Sequence, residues 1–199
     1  MSKAFRALSL SVAVLTLASC ASTVELSGAA MSQRDQMTPQ SASALAARYT
    51  KASATSGGLC MVGENPRWTH VDYRAPVTVT GPMLEFTGIF ARASEAYISK
   101  KVRGVTGLAA ISDDEDKAKY AVDLRTLSEI RLLEAKAGQF SGVCPAYKTG
   151  WMVVMKPEGG LPDGADISLN VSNQADLDTV LATLTYFSPK ARVVGGLGL

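Results

Sequence analysis

The sequence predicts an α+β fold: a single domain whose mainly antiparallel sheet is packed by amphipathic helices. Three observations carry this expectation. Trp151-Met152-Val153-Val154-Met155 is a nearly continuous apolar run, as in a buried central strand. After a turn rich in Gly and Pro at residues 159–164, Ile167, Leu169 and Val171 alternate, so the two segments read as an antiparallel pair. Strands interleave with helical stripes and no fixed-period repeat occurs, which is the pattern of a layered α+β domain. A chain of 199 residues, 47% of them hydrophobic, can bury one real core, and nothing in its composition divides it further.

The chain opens with Lys3 and Arg6, an apolar run from Ala7 to Ala18, and then Leu17-Ala18-Ser19-Cys20. About 12 apolar residues cannot cross a bilayer core that needs roughly 20, so the run reads as a secretory signal and not as a span. Leu, two small residues and Cys together resemble the lipobox of bacterial lipoproteins. The resemblance is confined to residues 1–20. It implies cleavage before Cys20, a diacylglyceryl group on its sulfur and acylation of the new amino group, palmitate being a typical chain. The alternative is an ordinary signal-peptidase site beside an ordinary thiol. With residues 1–19 as the signal peptide, Lys3 and Arg6 leave, and the mature chain holds 18 basic against 18 acidic residues. That balance argues against nucleic acid as a partner, because displacing phosphate counterions needs a basic excess.

Three cysteines become an even count once Cys20 carries lipid. In the oxidising periplasm that the resemblance implies, Cys60 and Cys144 read most simply as one disulfide, contributing about 4.5 kcal/mol in the loop-entropy model. Two separate buried thiols are the alternative.

Residues 20–37 are small and polar without a sustained period, and read as a lipidated flexible tether with an r.m.s. span of roughly 20–25 Å. The globular domain is then expected over 38–199. Thr38-Pro39 starts a helix, with Ala42, Leu45, Ala46 and Tyr49 on one stripe and Gly57-Gly58 as the breaker. Cys60 falls in a stretch that reads as loop. Residues 67–73 alternate as a strand and Val77-Thr78-Val79-Thr80 forms another. From Pro82, the spacing of Phe86, Ile89, Phe90, Ala93, Tyr97 and Ile98 predicts an amphipathic helix ended by Gly104. Ser112 to Glu115 has the form of a capping box. The alternation of Tyr120, Val122 and Leu124, and of Ile130 and Leu132, tips the segment to residue 137 toward a short helix at 113–118 and two strands, over one long helix. Asn173 caps a last helix through Leu177, Val180, Leu181, Leu184 and Phe187, and Arg192-Val193-Val194 returns to the sheet edge.

Period two places Trp68, His70 and Asp72 on one strand face, where an aromatic ring, the sole histidine and a carboxylate converge. This face is the candidate for ligand binding. It does not make a catalytic triad, because i and i+2 neighbours on a strand do not form the carboxylate-to-imidazole hydrogen bond, and no Gly-x-Ser-x-Gly elbow is present. No metal-ligand spacing and no usable phosphate loop occur, so no metal, cofactor or catalytic residue is expected. The expectation is therefore a non-enzymatic envelope lipoprotein, held to the membrane by its N-terminal lipid and acting as a structural or accessory component that binds an envelope protein. In the families it resembles, an Asp after the Cys retains the protein in the inner membrane. Ala21 and Ser22 stand here, which implies the outer membrane, facing the periplasm. A periplasmic enzyme or small-ligand binder using Trp68, His70 and Asp72 is the rival expectation.

Overall fold

A computed structural model describes residues 22–55, 60–62, 68–71, 76–91, 115–135, 150–159 and 166–196. In chain order they form β1 (Ser22–Thr23), α1 (Gly28–Asp35), α2 (Pro39–Thr55), β2 (Cys60–Val62), β3 (Trp68–Val71), β4 (Thr78–Thr80), β5 (Met83–Ala91), β6 (Glu115–Asp123), β7 (Leu127–Ala135), β8 (Gly150–Pro157), β9 (Asp166–Val171), α3 (Gln174–Phe187) and β10 (Arg192–Gly196). The strands are hydrogen-bonded in the order β1-β10-β7-β8-β9-β2-β3-β5. β6 runs along the whole of β5, whose other edge is shared by β3 and β4. Among the described pairings only β7 with β10 is parallel, so the fold is α+β with a mainly antiparallel sheet.

The centre follows the sequence closely. In β8, Met152, Val153, Val154 and Met155 are 2%, 0%, 6% and 0% exposed, so both faces of this strand are covered and the apolar run has no reason to alternate. β8 pairs with β9 on one side and β7 on the other. Ile130, Leu132, Val153, Met155, Ile167, Leu169, Val171 and Val193 form one cluster with Leu177, Val180, Leu181 and Leu184 of α3. α3 reaches this position because it connects β9 to β10 across β8 and β7, which lie between them in the sheet. Ala46 and Ala54 of α2 join the same cluster, as do Leu84 and Phe86 of β5 and Tyr120 and Val122 of β6. The rings of Phe86 and Tyr120, Cα partners across the two strands, stack with centroids 5.5 Å apart.

Of the three caps read from the sequence, two are in place, and the capping box at Ser112 begins outside the described residues. The Thr38 hydroxyl accepts from the Ser41 N–H at 3.2 Å ahead of α2, and the Asn173 side-chain Oδ1 accepts from the Asp176 N–H at 2.9 Å ahead of α3.

Four expectations are corrected. The helix expected from Pro82 is strand β5 over Met83–Ala91: Leu84 and Phe86 are buried and Glu85 between them is exposed, which is period two. It follows a two-residue hairpin in which Thr80 pairs with Met83 and Gly81, at φ 59°, takes the first loop position, as a II′ turn requires. The helix expected at 113–118 is overturned where it is described, since Glu115–Asp123 is one strand. The two strands expected after it, β6 and β7, are present. They do not pair with each other; a 3₁₀ turn at Leu124–Thr126 turns the chain from β5's edge to the middle of the sheet. Cys60 opens β2, between β9 and β3, and is not in a loop. Finally, the tether is largely folded: β1 pairs with β10, and α1 packs on α3 with Ala30 fully buried. Small residues carry little amphipathic signal, but they let two helices approach closely, so α1 is held by tertiary contact more than by its own pattern.

Candidate functional site

Of the residues singled out by sequence, Cys20, Asp72 and Cys144 lie outside the described residues, as do the signal peptide and the pairing of Cys60 with Cys144. Trp68 and His70 are on β3. Backbone register sets Trp68 opposite Ala91, and sets His70 opposite Cys60 on one side and Ile89 on the other. Cys60 in turn is opposite Ser168. The sole histidine and a cysteine are thus brought into register across neighbouring strands, a juxtaposition that strand alternation alone had no means of finding.

Elsewhere the carboxylates at the packed surfaces are occupied by structural partners. At the start of α3, Asp176 accepts from the Tyr49 hydroxyl of α2 at 2.7 Å and from the Asn173 side-chain amide at 2.7 Å. Two residues further along, and so on nearly the opposite face of the helix, Asp178 accepts from the Ser27 hydroxyl at 2.9 Å and from the Gln174 amide at 3.0 Å. Ser27 also accepts from the Ala30 N–H at 3.0 Å, capping α1. Two carboxylates of α3 therefore hold the helices on either side of it, each through a charge-assisted bond. At the other end of the sheet, the largely buried Glu129 carboxylate pairs with Arg131 at 2.7 Å and with Arg192 of β10 at 2.9 Å. Its cross-strand neighbour in β8 is Lys156. Nearby, the exposed Arg125 guanidinium holds the partly buried Asp123 carboxyl below its usual range.

Burial and the bond to Asp176 push the Tyr49 phenol above its ordinary value. The neutral phenol is the form the fold favours, so its contribution is complete below pH 10 and is lost as pH rises through the folded-state value. Tyr49→Phe is accordingly expected to flatten the alkaline limb of a stability-versus-pH curve while leaving the limb below pH 9 parallel to that of the unmodified chain. Unaltered alkaline curvature would refute the assignment.

Between α2, α3 and the sheet, a cavity of about 10 Å³ is lined by Leu45, Tyr49, Thr50, Leu124, Met155 and Leu184 among others. It has room for about one water molecule and is too small for a metabolite. Among the described residues no three His, Cys, Asp or Glu side chains cluster as a metal ion would need, and no helix is long and apolar enough to cross a membrane.

The chain enters the described fold at Ser22, two residues after Cys20. Ser22 is the Cα partner of Gly195 and Thr23 of Val194, and the Val24 N–H continues the ladder to the Val193 carbonyl at 2.9 Å. Packing at this corner is close: a Cβ at position 195 would stand 2.8 Å from Cγ2 of Val24, which would have to shift. The first described residues are therefore seated against the last described strand, at one corner of the sheet. No protein-family model, curated protein or solved structure matches the chain.

Proposed function

We propose that the protein is a lipid-anchored component of a bacterial cell envelope, attached through Cys20 and acting without catalysis as a structural or accessory protein-binding domain. The observation that carries this reading is the order of Lys3, Arg6, the apolar run to Ala18 and Leu17-Ala18-Ser19-Cys20. Several acyl chains on one residue give stable attachment, since each buried methylene contributes about 0.8 kcal/mol. The non-catalytic part is supported by the use of Asp176, Asp178 and Glu129 as internal struts. With Ala21 and Ser22 after the cysteine, the outer membrane facing the periplasm is the proposed location.

Cys20→Ala is expected to abolish palmitate incorporation and to move the protein out of the membrane fraction. Label that persisted in the variant would overturn the anchor. Crosslinking in intact cells is expected to capture an envelope protein; a small molecule retained through purification, with no protein captured, would favour ligand binding instead.

A further inference from the structure

Resting on lipidation at Cys20, the geometry points to a domain that lies directly on the bilayer: we infer that one rim of the sheet, the end carrying Ser22, Gly195, Leu133 and Trp151, is a membrane-contacting surface held in a fixed orientation. The argument begins with covalent reach. Only Ala21 separates Cys20 from Ser22, so their Cα atoms are at most about 7 Å apart. Ser22 is itself fixed to Gly195 in the ladder. The acyl chains therefore leave the protein within about 7 Å of the sheet edge, comparable to the depth of one headgroup layer. A free tether of residues 20–37 would have allowed roughly three times that distance.

Register then says which end of the sheet faces the lipid. Gly195 is opposite Leu132 and Gly196 opposite Leu133; Leu133 is opposite Met152, Glu134 opposite Trp151, and Trp151 opposite Val171. These residues share the Ser22 end of their strands. Leu133 and Trp151 are both only partly buried, and an indole with one apolar and one polar end suits the headgroup level. Glu134 is the exposed charge among them. Toward the opposite end lie Glu129 with Arg192 and Lys156, and beyond them Asp123, Arg125, Glu158 and Lys190. α3 runs between the two ends, starting at Gln174 just after Val171 and finishing at Phe187 just before Arg192, about 21 Å of helix. The charged end is thereby lifted a helix length off the membrane and presented to the aqueous side.

The test uses the mature lipidated chain in phosphatidylcholine vesicles containing phosphatidylcholine with a headgroup nitroxide. Tryptophan fluorescence is read in Trp68→Phe, which leaves Trp151, and in a second chain carrying Trp68→Phe, Trp151→Phe and Lys190→Trp. The expected result is several-fold stronger quenching of Trp151 than of the indole at position 190, with the difference abolished when a long Gly-Ser linker is inserted between Ala21 and Ser22. Equal quenching of both positions on vesicle-bound chain would overturn the fixed orientation and leave the anchor standing. Failure of the chain to float with the vesicles would overturn the anchor, and the orientation with it.

Discussion

Gly150→Ala is expected to destabilise the fold by about 3 kcal/mol or more, read as a lower urea midpoint at unchanged slope. Two effects add at this position. Gly150 has φ 129°, a conformation that L side chains rarely adopt and that costs of order 1–3 kcal/mol. Its missing Cβ also leaves space that backbone already fills: an added carbon would sit 2.4 Å from the Val171 carbonyl oxygen and 2.9 Å from Cα of Ser172. Backbone atoms cannot rotate away as the end of a side chain can, so β8 and the chain leaving β9 would have to separate. Gly159 supplies the control, since its φ is 84° but nothing lies within 4 Å of its Cβ position. Gly159→Ala should cost only the conformational part, about 1 kcal/mol. Equal costs at the two positions would show that the close approach to β9 does not exist.

Ile167→Ala is expected to cost about 3–4 kcal/mol. Ile167 is 0% exposed, pairs with Met155 of β8 and Met61 of β2, and belongs to the cluster under the helices. Truncation removes three carbons from a site fixed by strands on both sides, where collapse around the cavity is restricted. Ile167→Val, which removes one carbon, should cost about 1 kcal/mol. Because domains of this size hold a margin of only about 5–15 kcal/mol, the alanine variant should show a plainly lowered thermal midpoint. A loss under 1 kcal/mol for alanine would mean that β9 is not seated between β8 and β2.

The parts of the fold that were legible in the sequence are those whose signal is local and long enough to count. β8 and β9 are adjacent in sequence and in the sheet, and α2 and α3 carry their own capping residues and stripes. β5 was misread because Phe86, Ile89 and Phe90 fall by chance at helical spacing, while the decisive alternation of Leu84, Glu85 and Phe86 spans three residues. β2 is a three-residue strand specified by its neighbours β9 and β3, and so has no period of its own. Residues 22–37 look like a tether because β1 and α1 are ordered by β10 and α3, which lie more than a hundred residues further along. The same distinction applies to the site. The Leu17 to Cys20 motif is entirely local, whereas the register that sets Cys60 opposite His70 depends on pairing that neither strand encodes alone.

The ladder between β1 and β10 also imposes an order of events. The strand that receives Ser22 and Thr23, Arg192–Gly196, is synthesised after every other described strand. Until Arg192–Gly196 has been made and has joined β7, Ser22 and Thr23 have no strand to pair with. Closure of this corner is a contact between the first and last described strands, the kind that forms late because its loop-closure cost is paid before any reward. Seating of β1 thus waits on the synthesis of every other described strand.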